Sequence, residues 1–176
     1  MLPRAALQFE PDPLSGKSNV LRLTSPQSQD DWLSARRLIE EYAASLDLDL
    51  SFQNIAHELD HLAIEYAPPT GAFLLAQDDG VLLGCVGVRR FADGAGEIKR
   101  LYVAPAARGR GAGKLLTQAI IEAAKSLGYS RLLLDTLPSM KGAIALYVSL
   151  GFREVAAYRF NPEPDAKFFE LVVADR

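Results

Sequence analysis

From Glu97 to Leu127 the chain reads EIKRLYVAPAARGRGAGKLLTQAIIEAAKSL: a strand-like stretch, a glycine-rich turn, then apolar residues at helical spacing. Ala112, Leu115, Leu116, Ala119, Ile120, Ala123, Ala124 and Leu127 follow the i, i+3, i+4, i+7 rule without a gap, which predicts an amphipathic helix ended by Gly128. Glycine permits positive φ and close backbone approach. A glycine turn that opens a helix therefore offers unpaired N–H groups to an anion, most often a phosphate.

The flanking sequence supplies the rest of a mixed α/β chain. Residues 1–19 hold three prolines without sustained periodicity and read as a loosely held arm, with a single domain over 20–176. The alternation in VLRLT (Val20 to Thr24) predicts a strand, and SPQSQDDW offers capping residues for a helix from Asp30 to Ser45. A second helix is expected over Phe52 to Tyr66, stopped by Pro68 and Pro69. GAFLLAQ, the turn Asp78-Asp79-Gly80 and VLLGCVGVRRF form a predicted hairpin. RLLLD (Arg131 to Asp135) reads as a buried strand and Met140 to Leu150 as a helix closed by Gly151. Strands over Arg153 to Arg159 and Lys167 to Val173 close the chain around NPEPD.

With 49% hydrophobic and 23% charged residues the composition is that of a globular protein, and a formal charge of -3 provides no basic field for nucleic acid. The single cysteine, Cys85, rules out an internal disulfide and sits in an apolar run as a small buried hydrophobe. No apolar run reaches the roughly 18 residues needed to span a bilayer, and the N-terminus lacks the apolar core of a signal peptide. A cytoplasmic chain without membrane or nucleic-acid partners is the expectation.

The glycine turn is not a Walker A loop: Gly109 and Gly113 enclose too few residues, and Leu115 stands where a magnesium-binding hydroxyl is needed. Nor is it G-x-G-x-x-G, since Lys114 or Leu116 falls at the third glycine. It does match R-x-x-G-x-G through Arg108, Gly111 and Gly113, after a strand and Pro105. In this it resembles the GNAT superfamily of acyl-CoA-dependent N-acyltransferases. AIALYVSLGF (Ala143 to Phe152) resembles the family's second signature, with Tyr147 four residues before Gly151 of the G-F pair. The match covers nearly all of the chain except the N-terminal arm. One departure is Met140, where many members carry an asparagine that helps hold the cofactor.

The resemblance implies a strongly twisted, mostly antiparallel sheet of about six to seven strands flanked by about four helices. It implies acetyl-CoA as cosubstrate, no metal, a primary amine of a small molecule or peptide as acceptor, and direct transfer in a ternary complex; a homodimer is compatible with it. The amides of Gly109, Arg110, Gly111, Ala112, Gly113 and Lys114, with Arg108, would cradle the pyrophosphate. Leu101, Tyr102 and Val103 would offer backbone groups to the pantetheine arm, the Val103 amide facing the thioester carbonyl. The end of the chain, YRFNPEPDAKFFELVV, resembles small bacterial members whose acceptors vary.

Acyl transfer to an amine needs a proton acceptor for the ammonium and a donor for the thiolate. Tyr147 matches the family's acid. Glu97 matches the base position of histone-acetylating members, and Asp135 that of members acetylating ribosomal-protein N-termini. Either carboxylate, or water relayed between them, remains open, against the plain readings of a solvated strand start and a helix cap. Two alternatives stand beside this: a non-catalytic acyl-CoA-binding module, and a zinc hydrolase using His57, Glu58 and His61 of HELDH. Against the hydrolase, Ile55, Leu59, Leu62 and Tyr66 form the apolar stripe and place both histidines on the opposite, solvated face.

Overall fold

A computed structural model describes residues 21–46 and 54–173. The expected N-terminal arm, Val20 and the start of the second helix lie outside the described residues. Seven strands form one sheet in the order β1-β2-β3-β4-β5-β7-β6. They are β1 (Arg22–Thr24), β2 (Ala72–Asp78), β3 (Val81–Ala92), β4 (Ala95–Val103), β5 (Arg131–Thr136), β6 (Arg153–Val155) and β7 (Lys167–Val172). The helices are α1 (Gln29–Ser45), α2 (Ile55–Asp60), α3 (Leu62–Glu65), α4 (Ala112–Ser126) and α5 (Lys141–Ser149). No helix among the described residues is long and apolar enough to cross a membrane.

Every strand pair is antiparallel except β4 with β5. Parallel neighbours need a crossover, and α4 supplies it. Its buried face (Ala112, Leu116, Ile120, Ile121, Ala124) packs with Val86, Val88, Ile98, Leu132 and Leu134 of the sheet. Each fully buried Leu or Ile there contributes roughly 1.5–3 kcal/mol. The opposite face is covered by α1 and α3, through Ala35, Leu38, Ile39, Leu62 and Tyr66 against Phe73, Leu75, Cys85 and Tyr102. The helix α1 starts at a capping box: Ser28 Oγ accepts from the Asp31 amide at 3.2 Å, and Asp31 accepts from the Ser28 amide at 3.0 Å.

Two boundaries differ from expectation. The second helix breaks at His61 into α2 and α3, because His61 leaves helical geometry at φ -124, ψ 17. The strand expected over Arg153 to Arg159 ends at Val155. Beyond it the chain turns back so that Tyr158, Arg159 and Asn161 reach β4 and β5 with their side chains.

Candidate active site

The site begins as a defect in β4. Opposite β4, Val86 alone separates Cys85 from Gly87, while Arg100 and Leu101 both lie between their partners Tyr102 and Lys99. This is a bulge, and Arg100 takes a left-handed φ of 59° within it. A bulge increases local twist, and β4 parts from β5 just before it, their pairing running only from Ala95↔Arg131 to Glu97↔Leu133. The gap is a cavity lined by Ile98, Leu101, Leu134 and Tyr147 of one core, and by Tyr42, Lys99, Arg100 and Asp135 of the other side. The bulge also breaks alternation, so Lys99 and Arg100 carry their charges to the same face of the sheet.

Beside the gap lies the glycine turn. Gly109 and Gly111 have φ of 76° and 80°, which a side chain disfavours. No side chain caps α4 at Gly111, and its first turn holds no acid, so the leading amides face outward with the positive end of the helix dipole. The two arginines of the turn are tied to the protein: Arg108 Nε donates to Val103 O at 3.2 Å, and Arg110 Nη2 pairs with Asp78 Oδ2 at 2.5 Å. Arg110 thereby staples the turn to the β2–β3 hairpin.

On the α1 face, β3, β4 and β5 carry a buried charged layer. Glu58 of α2 is gripped by Arg100 through Nε and Nη2 at 2.8 and 2.7 Å, and accepts from Tyr66 OH at 2.8 Å. Burial opposes ionisation of Glu58, but Arg100 and Arg89 outweigh it and hold its pKa below the usual range. Glu97, only 3% exposed, accepts from Tyr158 OH at 3.1 Å and faces Arg159 Nη1 at 3.3 Å and Arg89 Nε at 3.9 Å. Asp135 accepts two bonds from Arg159 Nη2, at 3.1 and 2.9 Å, and one from Asn161 Nδ2 at 2.9 Å. Against burial, Lys99 and Arg159 hold its pKa low. Lys99 Nζ lies 3.7 Å from Asp135 Oδ1, and burial pushes its pKa down to about 8.

Tyr147 packs its ring against Phe152 and Phe169, with centroids 5.7 and 6.3 Å apart, and burial pushes its pKa up. Cys85 is fully buried and its Sγ donates to Arg100 O at 3.4 Å, the small-hydrophobe role expected of it. In HELDH the histidine rings stack at 4.1 Å on the surface, while Glu58 points into the core and is spent on Arg100. The three side chains do not converge, and no cluster of three or more metal-ligating side chains forms among the described residues.

Glu97, Asp135 and Tyr147 thus come to one region of the sheet, and the turn from Arg108 to Lys114 to its edge. Sequence reading passed over Lys99, Arg89, Tyr158 and Arg159. Adjacent charges in a buried strand, Lys99 and Arg100, broke the two-residue alternation and were a readable sign of a bulge. Nothing local marked Arg159, which arrives through the fold of the last loop.

A sheet parted beside an uncapped, glycine-opened helix makes a site for a ligand with an extended arm and an anionic end. The chain belongs to the acetyltransferase (GNAT) family, whose model matches residues 32–152. An uncharacterized N-acetyltransferase of Schizosaccharomyces pombe is 42% identical over 148 residues, covering 83% of this chain and 89% of that protein. Among solved structures, an acetyltransferase from Streptococcus agalactiae matches with a TM-score of 0.71 at 18% identity, covering 87% of this chain and 98% of that one. A Salmonella typhimurium protein solved with acetyl-CoA as its cofactor matches with a TM-score of 0.64 at 19% identity, covering 89% and 95%.

Proposed function

We propose that this GNAT acetyltransferase moves the acetyl group of acetyl-CoA directly onto a primary amine of a small molecule or peptide, in the gap between β4 and β5. The observation that carries the reading is that gap itself. Parting after Glu97 releases the edge of β4 toward Leu101, Tyr102 and Val103 for an extended pantetheine arm. The β4 edge runs on to Val103, against which Gly113 of the turn packs, so the amides of Gly109 to Lys114 lie next to it as a seat for pyrophosphate. In this reading Arg108 and Arg110 shape the cradle through Val103 and Asp78. The Val103 amide polarises the thioester carbonyl.

Tyr147 supplies the proton for the leaving thiolate. A thiol has a pKa near 8.5 and a phenol near 10, and burial widens that difference here. Net transfer from the phenol to sulfur is therefore uphill, so Tyr147 works as a relay, regaining a proton from the new amide nitrogen as it gives one up. Asp135 faces the acceptor ammonium from the cavity wall, and Glu97 belongs to the buried charged layer behind it.

The test is amine-dependent thiol release from acetyl-CoA across amines, polyamines, amino acids and peptide N-termini, with the acetylated product identified by mass. Binding of acetyl-CoA without turnover on any of them would mark a binding module instead. A Gly111→Val variant is expected to weaken acetyl-CoA binding by about tenfold or more in calorimetry. The left-handed conformation costs an L-residue roughly 1–2 kcal/mol, and tenfold corresponds to about 1.4 kcal/mol. Unchanged affinity in the folded variant would make the turn merely a helix start.

A further inference from the structure

The family relationship leaves open which group takes the proton from the acceptor ammonium, and the walls of the cavity narrow the choice. Glu97 does not line the cavity. Its Oε1 is engaged by Tyr158 and Arg159, and its Oε2 faces Arg89. Asp135 does line it, but three hydrogen bonds from Arg159 and Asn161 hold it as the carboxylate. A carboxylate held this way binds a proton poorly and is a weak base. Arg100, also in the wall, is committed to Glu58 by two bonds.

Lys99 shares the cavity wall with Tyr147 and Asp135. The bulge at Arg100 sets its side chain there, only 4% exposed. We propose that Lys99 Nζ, as the neutral amine, takes the proton from the acceptor ammonium, with Asp135 positioned to stabilise the lysine ammonium that results. The proposal rests on the acetyl-transfer reading given above. Its chemistry suits the step, since a base works best when its pKa lies near the operating pH, and burial brings Lys99 to about 8.

The described groups around it set that balance. On β4, Glu97 favours the charged lysine and Arg100 opposes it; Asp135 of β5 favours it and Arg159 of the final loop opposes it. Tyr42 of α1 and Tyr147 of α5 close the cavity, and both have raised pKa values, so they are neutral where Lys99 titrates.

The proton balance closes. The acceptor ammonium gives one proton to Lys99, and the free amine forms the C–N bond as the C–S bond breaks. The second nitrogen proton reaches the departing sulfur through the Tyr147 hydroxyl, giving the thiol. Lys99 then returns its proton to water, so each turnover releases one proton.

The test compares Lys99→Met and Lys99→Arg with the wild-type chain on two acceptors of similar size, ethylamine and trifluoroethylamine. Near pH 7 the first is an ammonium ion and the second a neutral amine that needs no base. With ethylamine, kcat/KM is expected to fall by about 100-fold or more in both variants, the scale of a positioned general base. With trifluoroethylamine the fall should stay below about tenfold, because the step assigned to Lys99 is bypassed. Acetyl-CoA affinity should hold in calorimetry. Equal losses on both amines, or no loss on either, overturn the proposal.

A measurement free of any acceptor stands beside this one. The Nζ resonance of Lys99, assigned by its absence in Lys99→Arg, should titrate near pH 8, and a lysine still charged at about pH 10 overturns the proposal. The wild-type arm judges the transferase reading separately. No amine-dependent thiol release with either amine or with the wider acceptor panel overturns that reading, and the assignment of Lys99 with it.

Discussion

Removing the hydroxyl of Tyr147 while keeping its ring separates proton donation from packing. The ring is buried among Phe152 and Phe169 while the residue lines the cavity, so the two roles occupy one side chain. Tyr147→Phe should lower kcat by roughly 100-fold or more while acetyl-CoA affinity and stability change little. Turnover must be limited by chemistry for the comparison to count. A variant running at the wild-type rate would move proton delivery onto water. At this scale the sequence placed Tyr147 through its spacing to Gly151, and it marked Glu97 and Asp135 as acids at strand ends. It did not show that both carboxylates share Arg159, because that contact joins β4 and β5 to the loop after β6. Nor did the Gly-rich turn reveal that Arg110 reaches back to Asp78.

Among elements, α2 is anchored in the core through one buried carboxylate. It is a short helix whose buried residue is Glu58, held by Arg100 of β4 and by Tyr66, the residue that caps α3, with Arg89 of β3 3.5 Å away. Removing one partner leaves an uncompensated buried charge, which costs about 3–5 kcal/mol. Glu58→Gln should therefore destabilise the chain strongly in urea denaturation. The double change Glu58→Met with Arg100→Met should recover much of the loss, since an apolar pair of similar volume is often neutral. Failure of the double variant to recover would mean the pair also holds the bulge open. The apolar stripe of HELDH was readable from spacing; the inward turn of Glu58 was not, because its partner lies far along the chain in an unusual backbone conformation.

For the molecule as a whole, the buried charges and phenols set a window of pH stability. Glu58 and Asp135 have folded pKa values below their unfolded ones. Their contribution is present above the unfolded carboxylate range, about 3.9 to 4.3, and is lost as pH falls through the folded values. Tyr66 and Tyr147 have raised folded pKa values. Their contribution holds below the unfolded value near 10 and is lost as pH rises through the folded values. Lys99 acts in the opposite sense between about 8 and its unfolded value of about 10.4, where the unfolded chain binds more protons and stability rises with pH. Urea midpoints measured against pH should show an acid edge below about pH 4, a plateau up to about pH 8, a rise from there toward pH 10 set by Lys99, and an alkaline fall above about pH 10. An acid edge unchanged in a folded Asp135→Asn variant would show that this carboxylate contributes nothing to it.

What the sequence determined by itself was local: the 3.6-residue period of α4, the hairpin around Asp79-Gly80, the glycine turn, and the motif spacings that carry family membership. Each depends on residues near in the chain, whose periodicity and backbone preferences are written in order. Tertiary structure alone decided the break of α2 from α3, the parting of β4 from β5, and the burial of Lys99 among Glu97, Asp135 and Arg159. A side chain's charge state and reach depend on which distant groups share its low-dielectric surroundings, and those neighbours are chosen only when the sheet, its bulge and the closing loop come together.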